Sequence, residues 1–283
     1  MKELNEIINT ELNEDLISFK ALSGGSINRV YKCTTRQGEL VLKLNKAEQY
    51  PLMFEKEEQG LDLLNSSSFR VPNVLNKGVY QNISYLMLEY VNDQGTTISE
   101  TALGIKLAEL HLLSSDSFGL DHDNYIGSIP QINNKKSDWT SFYKSMRLEP
   151  LVKKGFDTGH IEMKTLRSFD KLYKELDNLI PIEPPSLIHG DLWHGNIISD
   201  ENTFPVLIDP AVYYGHREID LAMLLLFGHI SNETMEAYNS IYSLDNHWKK
   251  RTDLHQLYPL LVHLIIFGGS YIGSIQKILR RYS

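Results

Sequence analysis

The chain has 283 residues, of which 42% are hydrophobic and 23% are charged, which is ordinary for a globular protein of one large or two modest domains. Its 28 basic and 36 acidic residues give a net charge of −8, and short basic pairs without a basic stripe argue against nucleic-acid binding. No apolar run approaches the roughly 20 residues of a membrane span, and the acidic, polar first residues are unlike a secretory signal. Because the lone Cys33 cannot form an internal disulfide, we expect a cytoplasmic protein with no membrane partner.

The first third of the chain predicts a small antiparallel sheet with helices beside it. Residues 2–13 have the apolar spacing of a short amphipathic helix, and residues 16–44 contain short apolar segments separated by glycine-rich turns, as strands joined by hairpins do. Residues 51–64 follow a helical pattern with several glutamates, and two further strands are predicted over residues 74–80 and 84–91.

The remainder of the chain predicts a mostly helical unit. The polar turn at residues 92–95 is the best boundary, which divides the chain into a β-rich N-lobe of residues 1–91 and a C-lobe of residues 92–283. A capping box from Thr97 to Glu100 opens the next helix, and residues 114–136 are predicted to be a long polar loop. Further helices follow, interrupted by a proline-rich segment at 181–185 and by short strands.

Two acids and an asparagine form the strongest chemical pattern in the chain. His189-Gly190-Asp191 follows an apolar run, Asn196 comes five residues after Asp191, and a second apolar run ends at Asp209. An isolated Asp after Gly is most often a turn residue. Together, however, this spacing suits phosphoryl transfer, in which Asp191 orients a hydroxyl and accepts its proton, while Asn196 and Asp209 hold Mg²⁺ on the phosphates.

The order of these signals resembles the protein-kinase-like fold. A glycine-rich hairpin is followed by a strand lysine, a glutamate-bearing helix, a strand entering the interlobe link, the His-Gly-Asp segment and the last Asp. The resemblance implies an α+β bilobal architecture, with a small antiparallel-sheet N-lobe carrying one helix and a larger, mainly helical C-lobe. His189-Gly190-Asp191 and Asp209-Pro210-Ala211 differ from the motifs of protein kinases and are similar to those of aminoglycoside and choline kinases.

A closer resemblance is to the fructosamine kinase (ketosamine-3-kinase) family. The segments that carry it are Ser23–Asn28, Phe54–Glu57, Tyr125–Gly127 with Gln131 and Asn133, Asp138-Trp139 with Phe142 and Arg147, His189–Asn196, Asp209–Ala211, Tyr214–Met223 and Phe267–Tyr271. They extend from about residue 20 almost to the end of the chain, and the block from Asp191 to Met223 is the most specific. The resemblance implies ATP and Mg²⁺ as cofactors and transfer of the γ-phosphoryl group to the 3-hydroxyl of ketosamines, the sugar adducts formed on amines by glycation.

The resemblance also implies roles for residues outside the central motif. Lys43, a costly charge in an apolar strand unless it is paired, would bind the α- and β-phosphates, held by Glu57 or, as the second choice, by Glu55. A lysine on the solvent face of an edge strand is the alternative. The other implied positions are Gly24, Gly25 and Ser26 at the phosphates, Leu88 behind adenine, and the backbone of Glu89 and Val91 on its edge.

The acceptor end is defined by fewer residues. Trp193 and His216 are the candidates for contact with the sugar, ahead of His194 and Arg217, although each could instead be structural. Asp220, at the start of the following helix, is expected to brace the catalytic loop by accepting backbone N–H groups.

Two other functions stay open at this stage. One is an aminoglycoside- or choline-like small-molecule kinase; the other is a non-catalytic nucleotide-binding regulator, which the presence of Lys43, Asp191, Asn196 and Asp209 disfavours. The physiological acceptor and the oligomeric state are also open.

Overall fold

A five-stranded antiparallel sheet forms the first part of the molecule. The computed structural model describes residues 2–22, 27–93 and 98–282. The strands are β1 (Ser18–Ala21), β2 (Arg29–Thr34), β3 (Glu39–Lys46), β4 (Val74–Tyr80) and β5 (Ile83–Glu89), in the order β1-β2-β3-β5-β4. Every neighbouring pair is antiparallel. The helices α1 (Lys2–Leu12) and α2 (Met53–Asn65) complete this lobe.

Side chains of β3 and β5 alternate between the two faces of the sheet, because successive residues of a strand point in opposite directions. Leu40, Leu42 and Leu44 pack with α1, and the buried Cys33 lies in the same cluster. The opposite face carries Lys43 and packs Leu86 and Leu88 with residues of α2 and of the second lobe. The sheet therefore carries a helix on each face, so α1 is a second N-lobe helix besides the one that the fold resemblance implied.

The second lobe is mainly helical. Its helices are α3 (Glu100–Leu112), α4 (Trp139–Phe142), α5 (Glu149–Asp157), α6 (Met163–Leu172), α7 (Leu176–Leu179), α8 (Glu218–Leu226), α9 (Asn232–Ile241), α10 (Trp248–Phe267) and α11 (Ile272–Tyr282), with a π-helical turn at Tyr143–Leu148. The long, largely buried α10 packs against α8, and both belong to a core that continues into the sheet lobe. This architecture confirms the predicted α+β, protein-kinase-like fold, whereas the lobe limits of 1–91 and 92–283 stay a prediction.

Three antiparallel pairs of short strands lie between the helices of this lobe. They are β6 (Asn124–Ile126) with β7 (Ile129–Gln131), β8 (Ser186–Ile188) with β11 (Tyr213–Gly215), and β9 (Ile197–Ser199) with β10 (Pro205–Leu207). Residues 189–196 lead from β8 to β9 and residues 208–212 lead from β10 to β11, so paired strands hold the two predicted catalytic segments side by side.

Two local expectations were wrong. Residues 114–136 are not a plain loop, because the β6–β7 hairpin lies within them and buries four of its six strand residues. Helix α3 is capped by Ser99, whose side chain accepts a hydrogen bond from the Ala102 N–H, and so it begins two residues later than a cap at Thr97 predicted. Thr97 itself lies outside the described residues, as do Gly24, Gly25 and Ser26.

Within the described segments, no helix is both long and apolar enough to cross a bilayer.

Candidate active site

A cavity of about 590 Å³ opens between the two lobes, within the usual size of a small-molecule site. Its lining brings together the five charged or amide-bearing residues that sequence analysis placed at the phosphate end: Lys43, Glu57, Asp191, Asn196 and Asp209. These residues come from β3, α2 and the segments that follow β8 and β10, which are far apart in the sequence. Their convergence supports the proposed phosphoryl-transfer site.

Lys43 lies at the roof of the cavity and is only 5% exposed. Its ammonium group contacts the carboxylates of both Glu57 and Asp209, so Glu57 rather than Glu55 is its partner on α2. Burial lowers the pKa of Lys43, but the two carboxylates outweigh burial and hold the pKa above its ordinary value. The lysine is therefore a fixed positive charge at the phosphate end of the cavity.

The loop that carries Asp191 is held by its backbone. Gly190 has a φ of +81°, and a Cβ at this position would lie 2.2 Å from the Ala211 carbonyl oxygen, so both conformation and space require glycine. The fully buried Asp220 accepts the N–H of His189 at 2.7 Å and that of Gly190 at 3.0 Å. The expected bracing contact of Asp220 is thus present.

Asp191 is oriented by Asn196, whose Nδ2 donates to the Asp191 carbonyl oxygen at 2.8 Å and to Oδ2 at 3.3 Å. Burial, and next the charge of Asp209, raise the pKa of Asp191 to about 7, although the Asn196 contact opposes the rise. A carboxylate with a pKa near neutrality is a better proton acceptor than an ordinary aspartate, which suits a general base.

The ligand set of this cavity fits Mg²⁺. Asn196 uses its amide nitrogen on Asp191, and no hydrogen bond among the described residues engages its Oδ1. The side chain of Asp209 is 44% exposed and lines the same cavity. Asn196 and Asp209 thus offer two hard oxygen ligands, and the cavity has room for phosphate oxygens and water beside them. Mg²⁺ prefers such a set of ligands.

The residues expected at adenine lie where β5 leaves the sheet. Leu88 is buried, and the Glu89 carboxylate is engaged outside the cavity with Arg70 and Asn73. The Val91 carbonyl accepts from the Asp93 N–H at 2.9 Å, while no hydrogen bond among the described residues uses the Val91 N–H. None of Leu88, Glu89 and Val91 lines the cavity described above, so their contact with adenine stays a prediction.

Three of the four candidates at the sugar rim do not face the cavity. His216 is fully buried, stacks on His255 with a ring-centroid separation of 5.1 Å, and is therefore not placed to touch a sugar. Arg217 is buried in a bidentate contact with Glu183, and His194 lies outside the cavity lining. Trp193 does line the cavity and is 36% exposed. Directly after β11, the side chain of His216 points into the protein core. The predicted sugar contact of His216, which was based on its nearness in sequence to the catalytic segment, is therefore wrong.

The buried cluster around His216 has the residue types of a metal site but not its charge balance. Ligand atoms of His216, Glu218 and His255 lie within 4.8 Å of one another. Arg251 donates to both oxygens of Glu218, at 2.6 and 2.8 Å, and burial with the neighbouring His255 lowers the pKa of His216 to about 4. Arg251 therefore already neutralises the only carboxylate of the cluster, and adding a divalent cation there would bury uncompensated charge.

Most of the cavity wall in the helical lobe was not predicted from the sequence. This wall is formed by residues at the end of α8, in α10 and in the turn after α10, notably Phe227, His263, Phe267 and Tyr271. Nδ1 of His263 is hydrogen-bonded to the Pro259 carbonyl at 2.8 Å, which leaves Nε2 as an acceptor. Phe267 and Tyr271 belong to a segment that resembles the fructosamine kinases, but only the packing of α10 against α8 places them beside the catalytic loop.

The bilobal fold and this cleft define a phosphotransferase of the protein-kinase-like class. The chain belongs to the fructosamine kinase family, whose sequence model, described as "Fructosamine kinase", matches residues 1–283. Family membership implies ATP as a substrate and, usually, Mg²⁺.

Individual relatives support this assignment. The chain is 36% identical to the "Probable ketoamine kinase" of Lactiplantibacillus plantarum over 95% of both chains, and 35% identical to the chloroplastic "Protein-ribulosamine 3-kinase" of Arabidopsis thaliana over 93% of this chain and 81% of that one. A Thermobifida fusca crystal structure with a provisional fructosamine-3-kinase name superposes with a TM-score of 0.88 at 33% identity, covering 99% of this chain and 98% of that chain. The aminoglycoside phosphotransferase APH(4)-Ia, with a TM-score of 0.67 at 15% identity and 99% and 98% coverage, shares the fold.

Proposed function

We propose that this protein transfers the γ-phosphoryl group of ATP to the 3-hydroxyl of a ketosamine, of the fructosamine or ribulosamine type, and so acts in the repair of glycated amines. The observation that carries the proposal is the convergence of Lys43, Asp191, Asn196 and Asp209 on one cavity in a chain of the fructosamine kinase family. The names of the bacterial and plant relatives support a ketosamine as the acceptor.

The nucleotide would bind under the sheet. Gly24, Gly25 and Ser26 precede Ile27 and Asn28, which line the cavity, so we assign the phosphates to this end. Lys43, fixed by Glu57, would neutralise α- and β-phosphate oxygens. The Glu89 carbonyl and the Val91 N–H would bind adenine, with Leu88 behind the ring.

Asp191 is the proposed base. Its carboxylate lines the cavity on the opposite lobe from Lys43 and is held by Asn196, so an acceptor hydroxyl on Asp191 would face the nucleotide phosphates. Asp191 would accept the hydroxyl proton as the new O–P bond forms and the bond to ADP breaks. When bound by Asn196 and Asp209, Mg²⁺ would neutralise charge on the phosphate oxygens.

The acceptor would occupy the aromatic end of the cavity. The cavity lining offers flat aromatic faces that suit the C–H face of a sugar, from Trp193, Phe227, Phe267 and Tyr271. Trp193 follows Asp191 by two residues in the chain. The amine of a ketosamine is cationic, and aromatic faces attract cations.

We further propose the cytoplasm as the location of the enzyme, where ATP is available and Cys33 stays reduced.

The test is an acceptor panel with ATP and Mg²⁺: a fructosamine, a ribulosamine, an aminoglycoside and choline, with ³¹P and ¹³C NMR to locate the phosphate. We expect a 3-phosphate on a ketosamine, and Asp191→Asn should lower kcat by about 10²–10⁴-fold with nucleotide affinity retained. Asp123→Asn, a change of the same kind outside the cavity lining, is the matched control. Turnover of choline or the aminoglycoside alone would overturn the substrate proposal, and full activity of Asp191→Asn would overturn the assignment of the base.

A further inference from the structure

Asp209 has a backbone conformation that its own sequence does not favour. Its φ is +55°, in the left-handed region where an L-residue with a Cβ is disfavoured. Such a conformation persists when the surrounding structure over-determines it. Groups on either side of Asp209 must therefore hold the backbone in this conformation.

Before Asp209, the chain is held by the catalytic loop. Nε2 of His189 is hydrogen-bonded to the Ile208 carbonyl at 2.9 Å, and the Ile208 N–H donates to the Asn196 carbonyl at 3.1 Å. After Asp209, the Ala211 N–H donates to the His189 carbonyl at 2.9 Å. These contacts leave the carbonyl groups of Ala211 and Val212 to be satisfied from elsewhere.

The β6–β7 hairpin supplies both partners. Asn124 and Gln131 lie directly opposite each other in this hairpin and are 5% and 2% exposed. Nε2 of Gln131 donates to the Ala211 carbonyl at 3.1 Å, and Nδ2 of Asn124 donates to the Val212 carbonyl at 2.8 Å. Because backbone carbonyls only accept, these contacts fix which end of each amide faces the segment.

The two amides are themselves held in one orientation. Oε1 of Gln131 accepts from the Tyr258 hydroxyl at 2.7 Å, and Nε2 of Gln131 also donates to Oδ1 of Asn124 at 2.7 Å. Asn133 donates to the same Oδ1 at 2.9 Å and accepts from the buried Arg147 at 2.6 Å. A buried network in which the members fix one another is rigid, and a rigid support is what a metal ligand needs for its orientation.

We propose that Gln131 and Asn124 are positioning residues for the metal carboxylate of Asp209, through their hydrogen bonds to the backbone of the segment that follows it. The proposal rests on the metal role given to Asp209 above. It assigns a function to the hairpin that lies within residues 114–136: the hairpin holds the segment that presents Asp209 and does not merely cover the cavity.

The informative variants change an amide without adding charge. Gln131→Met keeps a similar length but removes the donor to Ala211. Gln256→Met is the matched control, because Nε2 of Gln256 also donates to a backbone carbonyl, that of Ala222 at 3.1 Å, but Gln256 lies outside this network and outside the cavity lining. Asn124→Leu, which removes the donor to the Val212 carbonyl without adding charge, is the second variant if Gln131→Met does not fold.

The measurement is the Kd of the non-hydrolysable analogue AMP-PNP by calorimetry, with Mg²⁺ and again with EDTA, beside the thermal unfolding temperature. Loss of the support should reduce the Mg²⁺-dependent gain in nucleotide affinity by about 10-fold or more in Gln131→Met, with the EDTA value unchanged. Gln256→Met, which loses a comparable hydrogen bond, should keep the full Mg²⁺-dependent gain. A purely structural role would lower stability in both variants and leave the gain intact in both, which would overturn the proposal.

Asp209→Asn, measured in the same way, separates this inference from the proposed function. If Asp209→Asn loses the Mg²⁺-dependent gain and Gln131→Met retains it, only the positioning role is refuted. If Asp209→Asn itself retains the gain, the metal assignment of Asp209 is wrong and the positioning role falls with it.

Discussion

Substitution of Asp220 by asparagine tests the support of the catalytic loop most directly. Oδ2 of Asp220 accepts from the His189 N–H at 2.7 Å and Oδ1 accepts from the Gly190 N–H at 3.0 Å, while Nε2 of His111 lies 3.3 Å from Oδ2. Asparagine offers only one oxygen, so its amide N–H₂ must face one of the two backbone N–H groups, and a buried donor is left without a partner.

The expected cost follows from these contacts. A hydrogen bond to a charged group contributes about 1.5–3 kcal/mol. Asp220→Asn removes one of the two backbone hydrogen bonds and weakens the second by removing the charge. The free energy of unfolding should therefore fall by about 3 kcal/mol. For a chain of this length, this corresponds to a decrease of about 6–12 °C in Tm. Because His189 and Gly190 precede Asp191, misplacement of the base should also lower kcat by about 10–100-fold.

The assay combines thermal unfolding by circular dichroism with initial rates measured well below the Tm of each variant. Asp200→Ala is the control: Asp200 is also buried and accepts two backbone N–H groups, from Asn202 and Phe204 at 2.9 Å, but it does not line the cavity. The control should lose stability and keep kcat. A Tm loss in Asp220→Asn with unchanged kcat would refute the coupling of this brace to Asp191, and an unchanged Tm would refute the energetic argument.

Three further outcomes are expected. Lys43→Met should raise the KM for ATP and lower kcat, because it removes the cation that Glu57 fixes at the phosphates; Lys46→Met, an exposed lysine of the same strand, should be silent in the same kinetics. Stability should fall as pH drops from 6.5 to 4, since the folded state keeps His216 neutral with a pKa of about 4 while the unfolded state takes up a proton near 6.5; the loss is of the order of 3 kcal/mol. Urea unfolding at several pH values measures it, and a His216→Gln variant with the same pH dependence would count against this origin. Trp193→Ala should raise the KM for the ketosamine and leave the Kd of AMP-PNP unchanged; an equal change in both would place Trp193 at the nucleotide instead.

Contacts between catalytic residues that lie close together in the sequence could be predicted from the sequence. Asp191 and Asn196 are five residues apart on one tight loop, so local geometry brings this aspartate and asparagine together. An acidic partner for Lys43 was also predictable, since an apolar strand tolerates a buried lysine only beside an acid. The preference for Glu57 over Glu55 came from the family resemblance, and the structure shows the contact with Glu57.

The residues that line the acceptor end of the cavity could not be predicted in this way. His216 follows the catalytic segment closely in sequence, but its side chain turns into the core against His255 of α10. His263 lines the cavity although nothing in its own neighbourhood marks it, and the resemblance at Phe267–Tyr271 gave Tyr271 no role in the site. The reason is that apolar and aromatic residues at helical spacing look the same whether they pack in a core or face a ligand.

The sequence by itself therefore determined the fold class, the order of the phosphate-handling residues and the family resemblance, because these depend on local patterns and on spacing within single segments. Only the tertiary structure decided which side chains face the cavity, that a helix covers each face of the sheet, and that Gln131 and Asn124 reach the backbone beyond Asp209. The contacts of Gln131 and Asn124, for example, join residues 80 and 88 positions apart. The physical reason is that the geometry of contacts between elements is set by their packing rather than by the propensity of either one.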